Sequence, residues 1–379
     1  MSSFLGAVSF IKGMWIMKSL ISACMIVKDE ESFIKESIAS VLPYVEEVVV
    51  VDTGSKDDTV SIASYMGAKT IEMPWQGDFS KARNAAIQHS NLPIVLMIDA
   101  DERLDHRTVQ ALHDTARFLN ENKSKAARIR IRNYTDDANT SISYATRMFP
   151  NNGKFKYMGR IHEQLCKEGN VPESIDTDIE FNHFGYMQEV IDQKQKITRN
   201  IELLRKEASE NEDNSYITYQ LGKTHAIQKE YAEAEIYLRQ AYQSASQDFH
   251  YCLPNIIYSL CHVLLQVKKY NDFSSIIDEA ITLYPDYTDL YFMKGRAIVD
   301  NLDVTQFHLV PQLFERCVEL GEVSNTQYES HVGVGTFKAL YNLGIYYEMA
   351  GQKQQAMDCY ERCSEFGFKP AMERLLLLR

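Results

Sequence analysis

The first half of the chain alternates short apolar runs with segments of helical period, and this alternation constrains the fold most strongly. The runs within residues 20–27, 47–51 and 94–98 have the length and β-branched content of buried strands. Strands that alternate with helices in this way form a mostly parallel sheet with helices on both faces. The sequence therefore predicts an α/β domain over residues 20–187. We expect strands at 20–27, 47–51, 69–73, 94–98, 127–133 and 143–149, the last two in a more mixed part of the sheet, and helices at 30–42, 57–66 and 80–89.

From residue 188 to 379 the pattern changes to one helix after another, and we expect no strand there. The spacing resembles the 34-residue period of tetratricopeptide repeats. In the clearest unit, Leu343-Gly344, Tyr347, Ala356 and Tyr360 occupy the Leu-Gly, Tyr, Ala and aromatic positions of that repeat. Weaker units place small residues at Gly222, Cys261 and Gly295. An ordinary helical domain is the alternative interpretation.

Composition narrows the classes of partner. The 379 residues include 40 Lys and Arg against 52 Asp and Glu, a formal charge of −12. This excess of negative charge argues against a nucleic-acid polymer as partner, and it indicates no basic surface that would bind anionic membranes. Seven scattered cysteines without a CxxC motif indicate reduced thiols and a cytoplasmic protein.

Residues 1–19 form an N-terminal extension ahead of the predicted domain. The apolar stretch from Phe4 to Leu20 is interrupted by Lys12 and Lys18, so it is too short and too polar to span a bilayer. No basic region precedes it and no small-residue cleavage site follows it, as a secretory signal would require. We therefore expect neither a signal peptide nor a transmembrane segment.

Two carboxylates follow directly after the apolar run 94–98, in the tripeptide Asp99-Ala100-Asp101. Charged groups cannot remain in a buried core, so they must lie at the carboxyl end of the strand, where ligands bind in open α/β sheets. An Asp-x-Asp pair there can hold a hard divalent cation whose other ligands are phosphate oxygens. A turn or helix cap is the structural alternative for these residues.

Three further motifs precede this pair in order. They are Met25-Ile26-Val27-Lys28-Asp29-Glu30, then Val51-Asp52-Thr53-Gly54-Ser55 with Asp57-Asp58-Thr59, then Asp78-Phe79-Ser80-Lys81-Ala82-Arg83-Asn84. A carboxylate at Asp52 can accept from a ribose hydroxyl or a base N–H, although capping its own loop is the alternative. Arg83 can contact a ligand or pair with a carboxylate.

Together the four motifs resemble those of family 2 glycosyltransferases, which have the Rossmann-like GT-A fold that binds nucleotide sugars. With the tetratricopeptide-like helices, the chain is similar to bacterial peptide glycosyltransferases that modify bacteriocin precursors on Cys or Ser. The resemblance implies a UDP-sugar donor and a Mg or Mn cation. It places the donor against Val27, Glu30, Asp52, Arg83, Asp99 and Ala100, and the metal against Asp101 and His183. A neutral imidazole also suits that ligand set, although a polar residue at a sheet edge is the alternative for His183.

The resemblance places the segment containing His162 and Glu163 near the acceptor. Inverting transfer needs a group that takes the acceptor proton, and we assign that role to Glu163, with His162 positioning it or the acceptor. The Glu-Asp-Tyr/Trp base motif of many family members is not visible in this sequence.

The expected function is metal-dependent, inverting transfer of a hexose to a peptide or protein Cys or Ser/Thr side chain. The helical repeats would bind the acceptor or form a homodimer, because stacked helix pairs create a groove that suits extended partners. One alternative is transfer to a cell-envelope glycan or lipid. A second is a repeat protein that binds partners and carries a degenerate transferase domain, which predicts loss of motifs that are all present here.

Overall fold

The computed structural model describes residues 20–134, 140–185, 190–210, 214–248, 251–301 and 303–378, with the backbone alone at 190–196 and 247–248. The predicted N-terminal extension and the predicted boundary after residue 187 lie outside these ranges. Within them, an α/β part is followed by a series of helices, so the predicted fold class is confirmed. No helix in the described ranges combines the length and apolar character needed to cross a bilayer.

A nine-stranded mixed sheet forms the centre of the first part. Its strands are β1 Ile21–Val27, β2 Glu47–Asp52, β3 Lys69–Glu72, β4 Ile94–Met97, β5 Glu102–Leu104, β6 Ala126–Asn133, β7 Ser141–Pro150, β10 Ser174–His183 and β11 Ser330–His331. The strand order is β3-β2-β1-β4-β7-β6-β10-β5, with β11 paired to β7. A separate hairpin joins β8 Phe155–Met158 to β9 Gln164–Lys167.

The expected parallel arrangement holds only for part of the sheet. Strands β3, β2, β1 and β4 are parallel neighbours, so their carboxyl ends meet at one edge. Beyond β4 the sheet is mixed, because β7 runs antiparallel to both β4 and β6. The expectation of no strand after residue 188 is wrong at β11, which is too short to show a periodic pattern and forms by pairing with β7.

Among the described residues, four helices belong to the first part: α1 Ile34–Val41, α2 Thr59–Tyr65, α3 Phe79–His89 and α4 Val109–Glu121. Ten more follow in the same ranges: α5 Val190–Glu210, α6 Ser215–Ile227, α7 Tyr231–Asp248, α8 Leu253–Gln266, α9 Tyr270–Leu283, α10 Thr288–Asp300, α11 Val310–Leu320, α12 Phe337–Met349, α13 Lys353–Ser364 and α14 Lys369–Leu378. The sheet buries apolar clusters on both faces, because α1 and α4 pack on one face and α3 with the β8–β9 hairpin on the other.

Small residues allow the later helices to approach each other in pairs. A Cβ at Gly222 on α6 would lie 2.6 Å from Leu238 Cγ on α7. A Cβ at Gly344 on α12 would lie 2.5 Å from the Tyr360 ring on α13. Both contacts are too short for a side chain, so glycine is required at these two positions of the predicted repeat. The close pairing that the sequence predicts is present.

Candidate active site

The candidate site lies where the carboxyl ends of β1, β2 and β4 meet. Asp99, Ala100 and Asp101 follow β4, and Asp52 ends β2 beside Val27, the last residue of β1. The N-terminal half of α3 also reaches this edge, because a helix that follows a parallel strand starts at the carboxyl side of the sheet. The topology therefore brings the four predicted motifs together.

Two arginines hold the carboxylate of Asp99. Arg83 Nη2 on α3 donates to Oδ1 over 2.9 Å, and Arg147 Nη2 on β7 donates to Oδ2 over 2.8 Å. Burial by itself raises the pKa of Asp99, but Arg147 and Arg83 outweigh burial and hold that pKa well below its ordinary value. Asp99 is therefore ionised, and both its oxygens already accept strong hydrogen bonds.

Glu102 supports the turn that carries Asp99 and Asp101. Its Oε2 accepts from the backbone N of Asp99 over 2.9 Å, and its Oε1 lies 3.4 Å from Arg147 Nη2. The Glu102 side chain is only 3% exposed, and burial raises its pKa. This residue thus fixes the backbone of the turn that carries the two aspartates.

Asp101 faces His183, and both residues were predicted as metal ligands. His183 Nε2 lies 3.3 Å from Asp101 Oδ2, and their side chains are 21% and 23% exposed. His183 Nδ1 lies 2.8 Å from Asn133 Oδ1, an oxygen that only accepts, so Nδ1 carries the proton and Nε2 faces Asp101. Burial lowers the pKa of His183, but the hydrogen bond and charge of Asp101 outweigh burial and raise it.

Gly185 packs closely against these two side chains. A Cβ at this position would lie 2.3 Å from Asp101 Oδ2 and 2.7 Å from His183 Nε2. Within the described ranges, no three His, Cys, Asp or Glu side chains converge to hold a metal. One carboxylate and one imidazole, both partly exposed, suit a Mg or Mn ion that takes its other ligands from phosphate oxygens and water. The residues fit that group.

The predicted nucleotide-binding residues on β1 and β2 hold their own loops in place. Asp52 is 5% exposed and accepts from the backbone N of Gly54 and Ser55 over 3.0 and 3.1 Å. The carbonyl of Val27 accepts from the backbone N of Thr53 over 2.9 Å. Each loop is thereby fixed against the other, so the capping alternative for Asp52 is part of the observed geometry.

Glu30 and Ala100 frame the same edge. The backbone N of Glu30 donates to Thr59 Oγ1 over 2.7 Å, which ties the loop after β1 to the start of α2. Ala100 is 5% exposed between the two aspartates. Because Ala100 offers no polar side-chain atom, any hydrogen bond from this residue to a ligand uses its backbone.

Glu163 and His162 are adjacent in sequence but lie in different surroundings. The carboxylate of Glu163 accepts from Arg83 Nε, so this residue belongs to the cluster around Asp99. His162 lies within electrostatic reach of Lys223 on α6 and of Glu329, and burial lowers its pKa to about 4. Its imidazole is therefore neutral near pH 7. The structure thus joins Glu163 to Asp99 through Arg83, whereas His162 lies towards Lys223 and Glu329.

Sequence reasoning missed Arg147 and Tyr157. Arg147 is a charged residue in the apolar strand Tyr144-Ala145-Thr146-Arg147-Met148-Phe149, and this break in the pattern was a usable signal. Tyr157 lies under Arg83, whose guanidinium is 5.4 Å from the ring centroid. Burial raises the pKa of Tyr157 to about 12. Nothing in its local sequence marks Tyr157 as a site residue.

Comparison with known proteins tests the family resemblance that the four motifs carry. Residues 22–184 match the model of the family described as Glycosyl transferase family 2. This part of the chain is therefore similar to family 2 glycosyl transferases. The resemblance drawn from the four motifs is thus confirmed, and the domain that the model matches contains every predicted site residue.

Relatives extend the likeness into the helices that follow this domain. The SPbeta prophage-derived glycosyltransferase SunS of Bacillus subtilis is 28% identical over 289 residues, which cover 74% of this chain and 67% of SunS. A TPR repeat-containing protein of Synechococcus elongatus is 27% identical over 267 residues, covering 68% of this chain and 64% of the relative. The chain thus spans about two thirds of the length of each relative.

Solved structures match about half of the chain at low similarity. The crystal structure of YrrB, described as a TPR protein with an unusual peptide-binding site, is 14% identical and covers 49% of this chain and 86% of YrrB with a TM-score of 0.37. The crystal structure of MamA protein is 17% identical and covers 46% of this chain and 84% of MamA, also with a TM-score of 0.37.

Proposed function

We propose that the chain is a metal-dependent, inverting glycosyltransferase that moves a hexose from a UDP-sugar to a Cys or Ser/Thr side chain of a peptide or protein. The observation that carries the proposal is the division of labour in the acidic turn. Asp99 is held by two arginines, whereas Asp101 faces His183 across 3.3 Å. Asp99 therefore serves the donor, and Asp101 with His183 serves the cation.

The residues act on different parts of the donor. Asp52, Glu30, Val27 and Ala100 lie along the edge where the nucleoside would bind, with Arg83 and Asp99 nearer the sugar and diphosphate. Asp101 and His183 would hold the Mg or Mn ion. A divalent cation there stabilises the negative charge of a leaving diphosphate. Glu163 takes the proton of the acceptor nucleophile, and Arg83 holds Glu163 close to Asp99.

The helical half supplies the acceptor side in this proposal. The segment after β8 packs against it, because the side chain of Ile161 is buried with Leu204, Ile217 and Leu221 of α5 and α6. A second contact joins Gln164 on β9 to the hydroxyl of Tyr251 before α8. A peptide bound along the helices would thus reach the side of the domain that carries Glu163. Dimer formation through the same helices is the other expected role.

The test is a donor and acceptor panel with the full chain. Wild-type protein is incubated with UDP-, GDP-, ADP- and TDP-hexoses and with synthetic peptides that present Cys or Ser, in Mg, in Mn and in chelator. Sugar transfer from a UDP-hexose that stops in chelator is the expected result, with inversion at the anomeric carbon by NMR. Transfer only to lipid or glycan acceptors would refute the peptide assignment, and absence of any donor turnover would refute an active transferase.

A further inference from the structure

Helix α5, which follows the family domain, lies against the donor-side motifs. A Cβ at Gly77, just before α3, would lie 3.9 Å from Leu203 of α5. The fully buried side chain of Leu204 packs in a cluster with Phe79 and Ile161. Arg160 donates to Glu207 from its backbone N over 3.0 Å. The middle of α5 is therefore fixed over the start of α3.

This packing brings Arg199 of α5 beside the donor edge. The Arg199 guanidinium carbon lies 5.2 Å from the ring centroid of Phe79. Phe79 is one helical turn before Arg83 on α3, so both residues lie on the same side of that helix. The charge of Glu30, in the loop after β1, also acts on Arg199. Arg199 thus lies between two of the four donor motifs.

The electrostatic surroundings of Arg199 are unusual for a partly buried arginine. Within the described ranges no carboxylate oxygen lies within 4 Å of it, and its hydrogen bonds go to Oδ1 of the neighbouring Asn200 at 3.3 and 3.1 Å. Burial lowers its pKa, which Glu30 only partly opposes. A guanidinium that packs on an aromatic ring and has no ion-pair partner can bind an anion. Its planar set of N–H donors matches the geometry of phosphate oxygens.

We propose that Arg199 binds the diphosphate of the nucleotide-sugar donor, so that the helical half of the chain contributes a residue to the donor site. The inference rests on the proposed function, since it needs a nucleoside diphosphate as ligand. It also assigns α5 to the transferase unit. A boundary after residue 187 would then separate the donor site from one of its own binding residues.

Calorimetric titration of the full chain with UDP, UMP and uridine in Mg tests this inference. The variants are Arg199→Met, which keeps the apolar stem, and Arg199→Lys, which keeps the charge but not the fork. Arg205→Met is the matched control, because Arg205 is exposed on the same helix. Arg199→Met should weaken UDP binding about 10- to 100-fold, the worth of a charge-assisted hydrogen bond, and leave uridine binding unchanged. Arg199→Lys should lose less, and Arg205→Met nothing.

Two results would overturn the inference. Wild-type affinity for UDP in Arg199→Met would exclude the contact, and equal losses for UDP and uridine would show that Arg199 only supports the packing of Phe79. If Arg199→Met did not fold, Arg199→Lys and Arg199→Gln would provide the same comparison. The proposed function fails separately, in the wild type: a chain that binds none of UDP, GDP, ADP and CDP is not a nucleotide-sugar transferase, and the inference falls with it.

Discussion

Arg83 Nε donates to the carboxylate of Glu163, which lies 80 residues further along the chain. Both side chains are only 9% exposed. The same guanidinium donates to Asp99 through Nη2 over 2.9 Å. Because the guanidinium is rigid and planar, it fixes the separation of the two carboxylates. The loop that carries Glu163 and the turn that carries Asp99 are thus connected through one side chain.

Replacing Arg147 by Met should destabilise the fold strongly at neutral pH. Arg147 is 13% exposed and pairs with both Asp99 and Glu102, so the variant leaves Asp99 with Arg83 alone and leaves the buried carboxyl of Glu102 without its arginine. Breaking a buried pair in this way costs about 3 to 5 kcal/mol. The measurement is the free energy of unfolding in urea. Arg128→Met is the matched control, because the Arg128–Asp176 pair is largely exposed and should lose about 0 to 1 kcal/mol.

The cost of Arg147→Met should depend on pH with a definite sign. The folded pKa of Asp99 is depressed, so ionised Asp99 stabilises the fold above its unfolded pKa of about 3.9 and this contribution disappears as the pH falls below that value. The difference between wild type and variant should therefore shrink below about pH 4. A difference that stays constant from pH 7 to pH 3 would contradict the assigned role of this ion pair.

The sequence predicts the parallel edge of this fold well and its other side poorly. β1, β2 and β4 are continuous apolar runs, which buried strands require, and the polar residues after them had to lie at one edge. β10 has mixed burial and a register shift between Asp176 and Glu180, so its pattern is not periodic. Because β10 positions His183 opposite Glu102, this part of the site depends on pairing that no local pattern reveals.

Gly185→Ala should weaken metal binding while leaving the fold intact. The added Cβ would lie 2.3 Å from Asp101 Oδ2 and 2.7 Å from His183 Nε2, so both side chains must move apart. We expect the metal concentration for half-maximal transfer to rise at least about tenfold, the usual scale for disturbing ligand orientation.

Two further variants set the lower and upper limits of activity for this prediction. Asp101→Asn removes the charged ligand and should nearly abolish transfer at any metal concentration. Asp114→Asn, an exposed carboxylate on α4, should behave as wild type. A Gly185→Ala protein with an unchanged Mn titration would exclude Asp101 and His183 as the cation site, as would full wild-type activity in chelator.

Asp52→Ala should weaken donor binding more than it slows the bound complex. Asp52 lies far from the reacting bond in the proposed arrangement, so it contributes binding that is uniform along the reaction. Because Asp52 also caps its own loop, Asp57→Ala is the necessary comparison: Asp57 caps the next residues, accepting from Thr59 N over 3.1 Å. UDP affinity should fall further in Asp52→Ala than in Asp57→Ala. Equal losses would reduce Asp52 to a loop residue.

Other features of the site could not be derived from composition or spacing. Asp52 shows the same sequence pattern whether it binds a ligand or caps a loop, and in this structure its oxygens do the second. The sequence leaves open whether Arg83 contacts a ligand or pairs with a carboxylate, and in the structure it pairs with two carboxylates. These outcomes depend on which side chains tertiary packing brings together.

Glu163→Gln should lower turnover by about two to four orders of magnitude with a Ser acceptor, the usual worth of a general base. Gln keeps an oxygen that can accept from Arg83 Nε, so donor affinity should barely change. With a Cys acceptor the loss should be smaller, because a thiol with a pKa of about 8.5 is already partly ionised near neutral pH. Single-turnover transfer to matched Cys and Ser peptides across pH measures both effects.

Glu168→Gln is the control, since its carboxylate is 60% exposed. If Glu163→Gln transferred to Ser at the wild-type rate, Glu163 would not be the base, and the buried, neutral imidazole of His162 would be tested next by His162→Ala.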